Sequence, residues 1–259
     1  MRLVVVGCSG SFAGPSSPAS CYLVQCYDAA RRQWTIALDM GSGAFGPLQR
    51  LLTPEALDFV ALSHLHPDHC ADMTGLHVYA KYRPGTALGD LEVYGPAGTD
   101  QQLAAIQYSL DPAQPRVFPA QTWQANRPVQ VGPMTITPHL MRHPVETWGF
   151  SVAGPSSVGS GQRKLAYSAD TDLCDGLDEL AAGADLLLVE AAFQEGRDAS
   201  RGVHLTGKRA GQAAAKACAN RVVVTHIPPW YDADETMSEV AREYAGAIHQ
   251  AKSNHYYVI

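Results

Sequence analysis

Leu57-Asp58-Phe59-Val60-Ala61-Leu62-Ser63-His64-Leu65-His66-Pro67-Asp68-His69-Cys70 is the stretch on which the fold of this chain turns. Its first half, Leu57 to Leu62, is mostly apolar and reads as a buried β-strand. Its second half sets three imidazoles and one carboxylate within six residues. Side chains two apart on an extended segment share a face, so His64 and His66 can reach one ion together. Pro67 stiffens the turn that follows. Asp68 and His69 then point towards a second ion at the start of the next helix. The bland alternative, a polar loop facing solvent, fits poorly, because so many ligand-type side chains are costly to place together unless something uses them.

On the N-terminal side of this stretch, residues 2–6, 21–27 and 34–39 read as strands, and the polar turn 28–33 makes the last two a hairpin. A short helix is expected over 45–52. On the C-terminal side, residues 69–82 look helical, 91–95 look like a strand, and a helix opens near Thr99-Asp100. Residues 129–152 are strand-rich, and the Gly- and Ser-rich stretch 154–161 reads as a loop. Strand 164–168, helix 173–182 and strand 185–190 follow. Thr206 is placed to cap a helix over 207–218. Strand 221–225, a helix near 234–248 and a terminal strand 255–259 complete the pattern. Strands run first, then strands alternate with helices, twice over. That order suits an α/β fold of two sheets between helix layers, an αββα architecture.

Composition narrows the function. Hydrophobic residues make up 46% of 259 and charged residues 17%, which excludes a disordered chain and is compatible with one domain over 1–259. A net charge of -6 supplies no bulk basic surface for nucleic acid. The six cysteines form no CxxC, so zinc-knuckle and thioredoxin readings fail, and most are expected to be small buried hydrophobes in a reducing compartment. The opening apolar run is too short for a signal peptide, and no run of ~20 apolar residues spells a membrane span. Cytoplasmic location is the expectation.

Six further residues carry chemistry. Asp39 ends a strand before Met40-Gly41-Ser42-Gly43; a turn cap is its ordinary role. His143 stands in Arg142-His143-Pro144, with His139 as a rival. Asp170 follows a strand, where an N-cap is the ordinary role. Glu190 ends strand 185–190. His204 precedes Leu205-Thr206-Gly207, where a helix start is the ordinary role. His226 ends an apolar strand. His77, His139, His249 and His255 are given no role.

The segment His64 to His69 resembles the HxHxDH signature of the metallo-β-lactamase superfamily, and the later landmarks appear in the family's order. The resemblance implies a four-layer αββα metallo-β-lactamase sandwich holding two divalent ions. It implies that His64, His66 and His143 hold one ion, that Asp68, His69 and His226 hold the other, and that Asp170 bridges them. It matches Asp39 to an early Asp that orients the histidine loop. The implied chemistry is hydrolysis by a metal-bridged hydroxide. An all-His and Asp ligand set tolerates Zn²⁺ or Mn²⁺ without choosing between them.

Position 170 is an Asp rather than a Cys, and the branch looks like the phosphodiesterases. Glu190-Ala191-Ala192-Phe193 and His204-Leu205-Thr206 resemble elements of tRNase Z. There the histidine sits by the scissile phosphate and helps protonate the leaving oxygen. That role falls to His204, with Glu190 orienting it, and these two stand with Asp68 as the candidate catalytic residues. Against tRNase Z itself, only residues 144–169 separate His143 from Asp170, too few for a basic, glycine-rich tRNA arm. The last of the implied ligand histidines also stands in Thr225-His226-Ile227-Pro228-Pro229-Trp230. That motif, with Gly7-Cys8-Ser9-Gly10-Ser11, Ser17-Pro18-Ala19-Ser20-Cys21-Tyr22 and the run from Ser63 to Asp72, looks like an actinobacterial group described as atypical class II cyclic-nucleotide phosphodiesterases, acting on cyclic AMP. The expected activity is cleavage of cyclic AMP to the 5′-monophosphate. A tRNase Z-like RNA 3′-end endonuclease, or another small phosphodiester hydrolase, is the alternative. A metal-binding protein with a dead site is disfavoured, because no ligand position is lost. The expected partner is the small nucleotide, not nucleic acid or a membrane, and relatives suggest a homodimer. Backbone donors at 41–43 could hold a phosphate, and Trp148 or Trp230 could stack a purine, with core packing as the ordinary alternative.

Overall fold

Strands such as Leu3-Val4-Val5-Val6 are apolar at every position, which requires that both faces of their sheet be covered. A computed structural model describes residues 1–85, 88, 91–106 and 118–259 and shows what covers them. The strands are β1 (Arg2–Gly7), β2 (Cys21–Tyr27), β3 (Gln33–Leu38), β4 (Phe59–Ala61), β5 (Glu92–Gly95), β6 (Ala120–Thr122), β7 (Val129–Val131), β8 (Met134–Leu140), β9 (Trp148–Pro155), β10 (Gln162–Tyr167), β11 (Leu186–Glu190), β12 (Arg221–Thr225), β13 (Ala247–Gln250) and β14 (Tyr256–Val258). One seven-stranded sheet runs β14-β1-β2-β3-β4-β5-β6, the other β13-β12-β11-β10-β9-β8-β7. In both, pairing is antiparallel through the first hairpins and parallel afterwards.

The period of two sorts the side chains. Leu3, Val5, Tyr22, Val24, Ile36 and Leu38 join Phe150, Val152, Leu165 and Leu188 in a core between the sheets. Their neighbours Val4, Val6, Leu23 and Ala37 face outward to α1 (Phe45–Leu51), α3 (Met73–Tyr82) and α4 (Thr99–Ile106) through Leu48, Met73, Leu76 and Leu103. On the far side, Ala166, Leu187, Val189 and Val222 meet α5 (Asp175–Ala181), α6 (Gly207–Lys216) and α7 (Ala233–Glu243). The small α2 (Pro67–Cys70) carries the histidine loop. The result is the αββα order. Among the described residues no helix is long and apolar enough to cross a membrane.

The structure corrects the element boundaries in places. The helix expected over 69–82 is broken after Cys70. The Asp72 N–H bonds Met40 O instead of the carbonyl of Asp68, and that carbonyl accepts from Ser20 N. The helix expected to 248 ends at Glu243. Tyr244 turns extended and buries its ring, its hydroxyl donating to Ala219 O at 2.6 Å. A side chain at Gly246 would collide with that ring, and the chain then adds β13 to the sheet edge. Strand β6 was not expected, and β9 runs on to Pro155 before the loop. Thr206 caps α6 as expected, accepting from Arg209 N.

Candidate metal centre

The chemistry-bearing residues sit on the loops just beyond the C-terminal ends of β4, β8, β10 and β12. His64 and His66 follow β4, His143 follows β8, Asp170 follows β10 and His226 follows β12. His64 Nε2 lies 3.0 Å from His66 Nδ1, which lies 3.3 Å from His143 Nε2. His226 Nε2 lies 3.3 Å from His69 Nε2 and 3.1 Å from Asp68 Oδ2. Asp170 stands between the groups, with Oδ1 3.2 Å from His69 Nε2 and Oδ2 3.7 Å from His64 Nε2. Among the described residues two clusters share Asp170, His64-His66-His143-Asp170 and Asp68-His69-Asp170-His226, and a third grouping, Glu190-His204-His226, adjoins them. All seven expected metal residues are therefore brought together.

The donor set fits divalent ions. Nitrogens about 2.0–2.1 Å from a tetrahedral ion stand roughly 3.3 Å from one another, the spacing seen here. Asp170 Oδ1 is buried and makes no well-formed hydrogen bond, having only the His69 and His226 imidazoles at 3.2 and 3.5 Å, a costly state that a cation would relieve. Burial first, and cationic neighbours second, push His64 below its ordinary value; burial likewise lowers His66 and His143, so their lone pairs are free to ligate. Burial acts the same way on His69, but Asp170, Asp39 and Asp68 overrule it and hold its pKa well above the usual value. Burial opposes charge on Asp68 and Asp170 too, yet the surrounding imidazoles keep both carboxyls below the ordinary range. The site thus concentrates negative charge in a dry pocket where a cation is stabilised.

Asp39 lies fully buried at φ 60° and accepts from Ser63 N (2.7 Å), Ser63 Oγ (2.9 Å), His69 Nδ1 (2.8 Å) and Tyr167 Oη (2.7 Å). These bonds orient the histidine loop. Ser63 Oγ also accepts from His64 Nδ1 at 3.0 Å, and His143 Nδ1 donates to Val203 O at 2.8 Å. In each case the outer nitrogen is occupied and the inner one is left for the ion. His204 Nδ1 meets Glu190 Oε1 at 2.9 Å and Asp170 Oδ2 at 3.9 Å. Glu190 is itself fixed by Thr171 N and Ala192 N. Burial would lower the His204 pKa, but Glu190 and then Asp170 push it up to about 9.

The beta-lactamase superfamily domain model matches residues 35–227. The chain belongs to the beta-lactamase superfamily. An uncharacterised protein of Mycobacterium leprae is 40% identical over 257 residues, covering 98% of this chain and 87% of that protein. The crystal structure of the metallo-beta-lactamase fold protein YhfI from Bacillus subtilis superimposes with a TM-score of 0.85 at 27% identity, over 99% of this chain and 98% of that one. Ribonuclease Z of Salinispora arenicola is 26% identical over 256 residues, 81% of each chain.

Within this beta-lactamase superfamily site, three residues escaped the reading of the sequence. Ser63 and Tyr167 serve Asp39, as above. Asp172, fully buried, accepts from Gly202 N, Leu173 N and the Arg201 and Arg209 guanidiniums. It thereby ties down the loop whose Val203 carbonyl holds His143. Only the position of Ser63, directly before His64, hinted at its place. One substrate contact expected from the sequence is corrected and another, the backbone donors at 41–43, is narrowed. Trp148 is buried in the inter-sheet core, its Nε1 donating to Glu146, so it cannot stack a purine. The Gly41 N–H is spent on Ser20 O at 2.9 Å and is not available to a phosphate. The rival His139 sits away from the clusters, with Nε2 3.1 Å from Ser151 Oγ.

Proposed function

We propose that this protein is a metal-dependent phosphodiesterase that opens a 3′,5′-cyclic nucleotide, cyclic AMP, to the 5′-monophosphate, as a cytoplasmic enzyme with two Zn²⁺ or Mn²⁺ ions per chain. His64, His66 and His143 would hold one ion, Asp68, His69 and His226 the other, with Asp170 between them. Bound there, the ions would activate water and neutralise charge on phosphoryl oxygens. The chain's own part is geometric and acid–base. Asp39 and Ser63 keep His64 and His69 turned inward. Water oxygen bonds to phosphorus, the P–O3′ bond breaks, and O3′ needs a proton. His204, held protonated at neutral pH by Glu190, supplies it from the ring nitrogen that does not face Glu190.

The observation that carries this reading is the His204–Glu190 pair at 2.9 Å beside the shared Asp170. A proton donor held next to two cation sites suits an alkoxide leaving group. The kinship with ribonuclease Z favours phosphodiester over amide substrates. The tRNA-sized alternative lacks support: residues 144–169 fold into the β9–β10 hairpin rather than an arm, and a net charge of -6 gives little counterion release from a long polyanion. Nucleic acid is accordingly not the proposed partner, and a homodimer is proposed on the family resemblance alone. The test is turnover of cyclic AMP, cyclic GMP and a 3′-extended tRNA by metal-loaded protein at two salt concentrations. Cyclic nucleotide hydrolysis without tRNA trimming is expected; trimming without cyclic nucleotide hydrolysis overturns the proposal.

A further inference from the structure

Two large aromatic side chains stand in the open beside this centre. Phe12 is 44% exposed and Trp230 is 55% exposed, with ring centroids 5.3 Å apart and planes 33° from parallel. Among the described residues they are the exposed aromatic pair in ring contact. Leaving such surfaces in water forgoes burial that the fold offers elsewhere. Their position is set by the metal centre itself. Ser11 N lies 3.4 Å from His226 Nε2, the nitrogen that faces Asp68 and His69. Phe12 is the next residue, one Cα step of about 3.8 Å along the chain. Trp230 comes four residues after His226, beyond the rigid Pro228-Pro229.

The two loops are locked to each other. Ser9 bridges Ile227, and Gly10 N donates to Ile227 O at 3.2 Å. Position 10 admits only glycine, since a side chain would lie 2.2 Å from His226 O. A side chain at Gly14 would press on Pro229 at 2.8 Å. Tyr231 N closes a turn onto Pro228 O, and the Tyr231 ring braces Trp230 edge-on at 5.9 Å. The pair is therefore held in place before any ligand arrives.

We infer that Phe12 and Trp230 form the subsite for the nucleobase of the substrate, a planar aromatic group stacked at the mouth while the phosphate reaches the ions. The inference rests on the phosphodiesterase reading for the identity of the occupant, and on the exposed pair for its place. A sequence-tolerant π-face fits it, because among the described residues the ring contacts of the pair are aromatic, Phe12 with Trp230 and Trp230 with Tyr231.

The test uses full-length, metal-loaded protein and the variants Phe12→Ala, Trp230→Ala and Trp230→Phe. KM for cyclic AMP should rise roughly ten-fold or more in each alanine variant, more than kcat falls, and Trp230→Phe should restore most of it. Adenosine, which carries no phosphate, should quench tryptophan fluorescence, and the quench should vanish in Trp230→Ala. Unchanged KM in both alanine variants, or no quench by adenosine, overturns the subsite while leaving the hydrolase reading intact. A quench lost in Trp230→Ala, found in a protein that does not turn over cyclic AMP, upholds the subsite and sinks the hydrolase reading.

Discussion

Asp170 is one carboxylate facing two groups of imidazoles, its buried Oδ1 3.2 Å from His69 Nε2 without a well-formed hydrogen bond. Replacing it with Ala should remove metal and activity together, read by elemental analysis and by turnover. His204 differs, because its Nδ1 partner is Glu190 and it lies outside the two clusters that share Asp170. His204→Ala should keep the metal and lose ~10²-fold or more in kcat. If the variant loses metal as readily as Asp170→Ala, its role as proton donor is wrong. The pH dependence has a definite sign. A histidine pushed up to about 9 is cationic below that value, so the donor is present at neutral pH and lost as pH rises through about 9. The wild-type kcat should fall along that alkaline limb, and the limb should be missing from the pH profile of His204→Ala.

At the scale of elements, the loops of the centre are welded to strands and helices by buried polar links. The Asp172–Arg209 pair joins the loop after β10 to α6, with both side chains almost wholly out of water. Removing one partner of such a pair leaves an uncompensated charge, at a cost of ~3–5 kcal/mol. Arg209→Met should therefore shift the urea midpoint sharply downward at unchanged slope. Gly41 is a second link, packed so closely on α2 that a methyl group would lie 1.9 Å from Asp68 O. Gly41→Ala must push the metal loop outward, and its metal affinity should fall well below that of the wild type in a competition titration. The same rigidity explains why the expected helix 69–82 breaks: the Asp72 N–H and the Asp68 carbonyl are spent across the loop on Met40 and Ser20.

At the scale of the molecule, the two sheets meet along the core of Tyr22, Phe150, Leu165 and Tyr167, and the centre lies at the rim where both contribute. His64, His66, Asp68 and His69 come from the first sheet; His143, Asp170 and His226 come from the second. Ions held between them would cross-link the halves. Metal bound to the folded chain alone stabilises it by about 2.7 kcal/mol at a hundred-fold excess over Kd. EDTA should thus lower the melting temperature by roughly 5–10 °C, with recovery on adding Zn²⁺ or Mn²⁺. Metal-replete protein should approach two ions per chain, and a firm value of one would sink the dinuclear assignment.

Local pattern determined much of this protein. The run Leu57–Leu62 and the histidines behind it need only the two-residue alternation of an extended chain to bring His64 to His66, and the apolar strands and Thr206 cap follow equally short-range rules. Contacts between the sheets were decided elsewhere. The four donors on Asp39 include Tyr167, 128 positions along the chain, and nothing near Tyr167 in the sequence announces it. Trp148 and Trp230 read alike as candidate stacking rings, yet one is sealed between the sheets and the other stands in solvent beside Phe12. The helix near the C-terminus stopped early because Tyr244 found a burial site against Ala219, and the chain beyond it a free edge on β12. Periodicity records which side of an element is apolar; it does not record what that side will meet, since burial is shared among residues brought together only when the two sheets close.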